Sequence, residues 1–287
     1  MAGNGAARQA EEPVVRAFRA HGWSADLVRT NGPGHGAQLA EQAVLAGAHH
    51  IIAVGGDGTV HDVANGMLRH NAATTLGVIP VGTGNDFAKL VGMYRHAPVR
   101  AVARLVSARA ERFDVGRVGD EYFVNSMGFG FGPEVVRLRN ESSTRSRWLQ
   151  YLTPVPRAFA GFRAPLFEVR AAEHQERGYM MMVEVCNGGT AGGVYRFAPA
   201  ADPADGYLDV CVVRRVSPPR FLMAIPRVIR GTHGSMKEVT LFQTRAVTVR
   251  APDVPLLMHL DGELRSPGGH ECAVSVVAGR LNVLVAQ

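Results

Sequence analysis

"HHIIAVGGDGTVHDVANGML", His49 to Leu68, changes its hydrophobic period part-way along. His49 to Gly55 is an apolar run of strand length, whereas Val60, Val63, Ala64, Met67 and Leu68 recur at helical spacing and share one face. Between them, Gly55-Gly56-Asp57-Gly58-Thr59 predicts a turn that carries the chain from a strand into the N-terminus of a helix. Backbone N–H groups exposed at such a junction sit at the positive end of the helix dipole and suit phosphate, and glycine lets a ligand approach closely. A carboxylate there would repel phosphate directly. Asp57 therefore reads as a residue that orders the turn, meets a metal ion or accepts a proton. Asp and Gly are also ordinary residues of a purely structural turn.

Working outward, "GVIPVGTGNDFAKLVG", Gly77 to Gly92, repeats the arrangement. Gly82-Thr83-Gly84 forms the turn, and Asn85 or Asp86 is placed to cap a helix beginning near Phe87. In consecutive parallel strands both turns emerge at the carboxyl edge of one sheet, where open α/β folds bind ligands. Neither turn is a GxxxxGK[ST] loop or a GxGxxG dinucleotide fingerprint. Upstream, "PVVRAFRAHG" reads as a helix with Pro13 in its first turn, "SADLVRT" (Ser24 to Thr30) as a strand and "AQLAEQAVLAG" as a helix. Alternating strands and helices predict an α/β domain with a parallel sheet and helices on its faces.

Near Arg112 the texture changes to short strand-like runs, among them "RFDVGRV", "EYFVNSMG", "GYMMMVEVCN", "YLDVCVVRR" and "LLMHLDGE". Helical patterns near "RWLQYLTPVPRAF" and "PPRFLMAIPRVIRG" interrupt them. The expected organisation is an α/β domain over residues 1–111 and a β-rich, sandwich-like domain over residues 112–287, whose last strand is free to pack back on the first. The polar stretch Arg139 to Arg147 reads as a loop.

The 287 residues, 46% of them hydrophobic, suffice for two modest cores. Apolar runs stop well short of the roughly 20 residues that cross a bilayer. The opening "MAGNGAARQAEEP" lacks the apolar centre of a secretory signal, so a cytoplasmic location is expected. Cys186, Cys211 and Cys272 are odd in number and far apart, which predicts reduced core thiols in place of disulfides or zinc. The net charge of +6 favours anionic partners, among which nucleic acid, an anionic membrane surface and a phosphorylated substrate all qualify. His49-His50 and His259 lack metal-ligand spacing, and Met180-Met181-Met182 reads as buried strand.

Taken together, "GGDGTVHDVANG" and "IPVGTGNDFAK" resemble the catalytic domain of the diacylglycerol kinase family, which includes bacterial lipid kinases, sphingosine kinases and ceramide kinases. "TNGPGHGAQLAEQA", "YFVNSMGFGFG", "VEVCNGGTAGGVYRFAPAADPADGYLDV" and "HLDGE" extend the resemblance, in order, over nearly the whole chain. The resemblance implies a nucleotide-binding α/β domain, a β-rich lipid-binding domain, and transfer of the γ-phosphoryl group of ATP to a lipid hydroxyl in a cleft between them. It implies that Gly55, Gly56, Asp57, Gly58 and Thr59 hold the nucleotide phosphates, with Gly84, Asn85 and Asp86 in the second turn and Thr30 and Thr83 as further contacts. The proton acceptor is Asp57, Asp261 or Glu263; the later motif is favoured because it bears that role in the bacterial relatives, although Asp-Gly is also a hairpin signal.

Asp202 and Asp205, with the Tyr207 carbonyl, offer oxygen ligands suited to Mg2+, and the resemblance implies a bound magnesium that braces the β-rich domain. Expected partners are ATP, a lipid substrate presented at the membrane and a peripheral anionic membrane contact to which Arg145, Arg147 and Trp148 contribute; nucleic acid is not expected, and a homodimer is left open. Family members open with an apolar strand ending in Asn-Pro before a small-residue turn. Met1 to Gly5 resembles that turn with no strand before it, so the expectation is a misassigned start or a truncation, and a sheet lacking its first strand. NAD kinases share a GGDGT turn and a related fold, and a noncatalytic nucleotide- or lipid-binding protein is the other rival; "PVGTGNDFAK" favours the lipid branch.

Overall fold

The computed structural model describes residues 6–70, 73–94, 97–141 and 154–286. It comprises two compact units, one formed by Met1–Asp114 with Gly279–Gln287 and the other by Val115–Ala278.

In the first unit, strands β1 (His50–Gly55) and β2 (Thr75–Pro80) are parallel and in register from His50 opposite Thr75 to Gly55 opposite Pro80. Helices α1 (Ala6–Ala20), α2 (His35–Leu45), α3 (Asp57–Leu68), α4 (Asp86–Leu90) and α5 (Pro98–Val106) join them, with the first residues of β3 (Arg109–Val118) and the end of the chain's last strand. That strand places Asn282 and Val283 parallel to Thr75 and Leu76, so β2 has neighbours on both sides and is buried along its whole length. Gly66 of α3 lies against α2; a Cβ there would stand 2.1 Å from the Ala37 carbonyl oxygen, so only glycine permits this approach of the two helices.

Two expectations for this unit require correction. Helix α1 begins at Ala6, with Pro13 in its interior, because Ala6 to Glu12 are good helix formers that extend the helix ahead of the proline. Ser24 to Thr30 is not a strand. Its alternating pattern is present, yet a strand requires a neighbour to take its amides and carbonyls, and among the described residues β1 pairs only with β2. Leu27 and Val28 accordingly lie exposed. Met1 to Gly5 and the segment carrying Arg145, Arg147 and Trp148 fall outside the described residues.

The second unit is built from antiparallel pairs, the first between the end of β3 (Arg109–Val118) and β4 (Glu121–Phe123). Strand β7 (Gln175–Cys186) pairs through its first half with β6 (Leu166–Ala171), and through its second half with β5 (Ser126–Gly130) and β8 (Leu208–Arg214). A register shift between Met180 and Met182 marks where it changes partners. Strand β6 continues to β10 (Ala246–Arg250), which pairs with Glu271–Ser275 of the last strand. On the other side β8 pairs with β9 (Val239–Thr244), and β5 pairs with β11 (Met258–Leu260), which forms a hairpin with β12 (Glu263–Arg265).

Inward residues of both groups of strands, including Val169, Val247 and Val249 from one and Phe129, Val183 and Val210 from the other, share one core, as in a sandwich. Helices α6 (Phe131–Glu141), α7 (Pro154–Gly161) and α8 (Pro218–Arg230) surround a smaller aromatic cluster centred on Phe131 and Phe221. Met180, Met181 and Met182 are buried, as are three free cysteines whose thiols burial pushes upward, Cys272 to about 11.

Candidate active site

The first unit's site is made by its two glycine turns. Because β1 and β2 are adjacent, parallel and in register, the turns that follow them leave the same edge of the sheet. They touch: a Cβ on Gly82 would fall 2.4 Å from the Gly56 Cα, and one on Gly56 would fall 3.2 Å from the Gly82 Cα. A Cβ on Gly55 would stand 2.3 Å from the Thr59 hydroxyl oxygen, so the first turn closes tightly on its own helix. Gly56 is the N-cap of α3, and its carbonyl accepts the Thr59 and Val60 amides. Gly56 to Thr59 remain half-buried at the amino end of this 12-residue helix, where orphan amides and the dipole favour an anion.

Asparagine, not glycine, shapes the second turn. Asn85 adopts a left-handed conformation (φ 53°), accepts the Gly82 amide through Oδ1 at 3.1 Å and returns its Nδ2 to the Gly82 carbonyl at 2.8 Å. Its side chain is thus consumed in closing the turn and does not cap α4. The capping role passes to the other turn, where Asp57 Oδ1 accepts the Phe87 amide at 3.2 Å. Asp57 therefore joins the two cradles. Asp86, the first residue of α4, is buried and pairs with Lys89 at 2.8 Å. Thr83 sits half-buried within the second turn, while Thr30 ends the exposed extended stretch before α2.

In the second unit, Asp261 and Gly262 (φ 49° and 84°) form the two-residue turn between β11 and β12, with Leu260 opposite Glu263. Asp261 is 9% exposed and fully engaged as an acceptor. Its Oδ1 takes the amides of Asn125 (2.8 Å) and Ser126 (3.1 Å), its Oδ2 that of Val124 (3.0 Å), and its own amide donates to the Ser126 carbonyl at 2.8 Å. The hairpin is thereby pinned to the corner that precedes β5. Glu263, next but one along, is half-buried and makes no side-chain hydrogen bond or ion pair among the described residues. Arg139 of α6 donates to the Gly262 carbonyl at 3.1 Å, placing a positive charge beside the turn.

A buried polar row lies behind that hairpin. Glu184, Gly128 and His259 are opposite one another on β7, β5 and β11. With no side chain on Gly128, the Glu184 carboxylate and the His259 ring meet at 3.4 Å, and the Ser126 hydroxyl donates to Glu184 at 2.9 Å. Glu184 is 1% exposed and His259 6%. Gly132, at the start of α6, allows that helix to close over the pair.

The profile described as "Diacylglycerol kinase catalytic domain" matches residues 1–118, and that of the "YegS C-terminal NAD kinase beta sandwich-like domain" matches residues 125–285. The chain belongs to the family of diacylglycerol kinases and YegS-like lipid kinases. It is 28% identical over 251 residues to the diacylglycerol kinase of Bacillus subtilis, covering 87% of this chain and 82% of that protein. It is 30% identical over 255 residues to "Probable lipid kinase YegS-like" of Pseudomonas savastanoi, covering 85% and 79%.

Among solved structures, a diacylglycerol kinase from Bacillus anthracis shares the fold with a TM-score of 0.69 at 18% identity, over 95% of this chain and 88% of the other. An NAD kinase from Archaeoglobus fulgidus in complex with ATP is a more distant fold neighbour, with a TM-score of 0.53 at 13% identity over 97% and 89%. Membership makes the chain an ATP-dependent lipid kinase.

Asp202 and Asp205, expected from the sequence to offer ligands to magnesium, make hydrogen bonds of their own. Asp202 Oδ1 accepts the Ala204 amide at 3.0 Å; Asp205 Oδ1 accepts the Tyr207 amide at 2.9 Å, and its Oδ2 accepts Gln243 Nε2 at 3.1 Å. Tyr207 lies under the Arg245 guanidinium, 5.0 Å from the ring centre. These are the bonds of a self-closing Asx loop. Among the described residues no group of three or more His, Cys, Asp or Glu is arranged to hold a metal, and these two aspartates are closed on amides of their own loop and on Gln243.

The structure thus brings together Gly55 to Thr59, Gly82 to Asp86 and Asp57 in one unit, and Asp261 with Glu263 in the other. Sequence reasoning passed over Asn125, Ser126 and Glu184, and set His259 aside for want of metal-ligand spacing. The quoted runs "YFVNSMG", "VEVCN" and "HLDGE" contained them, but nothing along the chain joins the three runs until pairing sets their strands side by side.

Proposed function

We propose that this kinase transfers the γ-phosphoryl group of ATP to the hydroxyl of diacylglycerol, yielding phosphatidic acid at a membrane surface. The observation that carries the reading is the contact of Gly56 with Gly82 at the carboxyl ends of adjacent parallel strands, a cradle that any larger side chain would fill. Phosphoryl transfer is mainly positioning and charge stabilisation, so a backbone cradle and a base for the alcohol are the parts the protein must supply.

In this reading the turn from Gly55 to Thr59, with the amides at the start of α3 and the Thr59 hydroxyl, and the turn from Gly82 through Gly84 to Asp86 hold the nucleotide phosphates; Thr30 and Thr83 are further contacts. Asp57 and Asn85 keep the two turns in register. Glu263 accepts the alcohol proton as the oxygen bonds to phosphorus and the bond to the bridging oxygen breaks, the electron pair leaving with ADP. Support for Glu263 over Asp261 comes from hydrogen bonding: three amides already claim the Asp261 oxygens, whereas none claims those of Glu263.

The rival NAD kinase reading draws on the shared fold and the GGDGT turn. Radiolabelled ATP offered with a panel of lipids and with NAD separates the two. Label extracted with phosphatidic acid supports the proposal, label in another phospholipid moves the acceptor, and label in NADP overturns it.

A further inference from the structure

We propose that the outward face of α8 is the surface by which this kinase docks on an anionic bilayer; the inference deepens the lipid-kinase reading and rests on it. Helix α8 has two contrasting sides. Phe221 is buried and stacks on Phe159 of α7, with ring centres 4.0 Å apart and planes 13° from parallel, and it meets Phe131 of α6 edge-on at 5.6 Å. On the opposite side Leu222 is 64% exposed, Met223 51% and Ile229 39%. At 100° per residue these three, with the exposed Pro219, Pro226 and Arg230, span an arc of roughly 120°. Scattered apolar residues on a surface are ordinary, but an arc interrupted by a single charge is not.

The charge on the helix selects the occupant. It carries Arg220, Arg227 and Arg230 and no acidic residue. Arg220 reaches Glu238 at 3.5 Å, while Arg227 and Arg230 make no ion pair among the described residues. An apolar arc flanked by arginines matches a membrane interface, where the side chains enter the acyl boundary and the guanidinium groups meet phosphates. A second copy seated on the same face would set arginine against arginine with no acid on the helix to pair with either. The helix ends at Gly231 in a left-handed conformation (φ 74°), where a Cβ would stand 2.9 Å from Pro199. Among the described residues no helix is long and apolar enough to cross a membrane, so docking in the interface plane is the mode this helix offers.

The test is co-sedimentation of the full chain with vesicles of phosphatidylcholine, with or without about 30% phosphatidylglycerol, at physiological salt. The variants are Leu222→Ser/Met223→Ser/Ile229→Ser, at exposed positions, and Arg227→Gln/Arg230→Gln, at a half-buried and an exposed position with no ion pair among the described residues; both sets leave melting unchanged. The expected result is wild-type binding that favours the anionic vesicles, a fall of at least about tenfold in partitioning for the apolar triple variant, and loss of the salt-sensitive part for the arginine pair. Triple-variant binding equal to wild type overturns the proposal. So does a wild-type dimer in light scattering that the triple variant converts to monomer, which would assign the face to a second copy. Activity on lipid dispersed in detergent micelles stays intact in the variants; failure of the wild type to phosphorylate any lipid there sinks the proposed function while vesicle binding is still read independently.

Discussion

Two of this kinase's Asp-Gly motifs, Asp57-Gly58 and Asp261-Gly262, offer a comparison between a site made of backbone and a site made of side chains. In the glycine-turn unit, Gly56 and Gly82 present main chain to main chain, and the surface left open is a set of amides at a helix start. In the β-rich unit, the Asp261–Gly262 turn presents Glu263, while the support beneath it is a buried network of side chains. In both, the aspartate is a staple. Asp57 accepts an amide from the opposite turn, and Asp261 accepts three from the adjoining corner. The motif's carboxylate organises main chain in both places.

That difference predicts unequal responses to the same small change. Gly82→Ala drives a methyl group into backbone that cannot rotate away, so it should cost about 1–3 kcal/mol of stability. By parting the turns it should lower turnover by roughly 100-fold or more. Gly128→Ala meets the end of the Glu184 side chain, 2.0 Å from Oε2, which can shift at the expense of its bond from Ser126. Its turnover should fall less, with a stability loss on the order of 1 kcal/mol. Melting curves and initial rates on both variants check the ranking; a more severe Gly128→Ala would invert the comparison.

Within the β-rich unit, the acids should separate by observable. Glu263→Gln should reduce turnover by roughly 10²–10⁴ and leave the melting temperature unchanged, as for loss of a proton acceptor. Asp261→Asn sets an NH2 group among amide donors and should lower stability by on the order of 2 kcal/mol. A Glu263→Gln enzyme with wild-type turnover removes that residue from the proton step.

Asp57→Asn keeps an oxygen for the Phe87 amide, so the cap survives while the charge is lost. Turnover is expected to drop by at least about tenfold with little change in melting. Melting that collapses instead would make Asp57 a fold residue alone.

The smallest effect concerns acid stability beside the Asx loop. Burial raises the Asp209 carboxyl above its ordinary value, opposed by the Gln243 amide and reinforced by Asp205. A carboxyl raised in the folded state binds its proton more tightly there than in the unfolded chain. Ionisation consequently subtracts stability as pH rises from the unfolded value of about 3.9 through the folded one. Asp209→Asn should melt slightly above wild type at pH 7, with the gap closing towards pH 4; a gap that widens on acidification contradicts the sign. EDTA should leave the melting temperature of the nucleotide-free chain unchanged, since amides already claim Asp202 Oδ1 and both Asp205 oxygens.

The sequence by itself determined the α/β and β-rich texture, the two glycine turns and the late hairpin, because each is written in residues close along the chain: a run, a period, or glycine beside aspartate. It overreached at Ser24 to Thr30, where an alternating pattern met no neighbouring strand, and at Asn85, whose apparent capping position became a turn brace. Only the tertiary structure decided which group caps α4, that Gly56 touches Gly82, and that Glu184 meets His259 across Gly128. Asp57 and Phe87 are 30 positions apart, and Glu184 and His259 still farther. Such contacts depend on strand order and register, which local periodicity does not encode, and these same contacts distinguish Asp261, which holds the backbone, from Glu263, whose oxygens no amide claims.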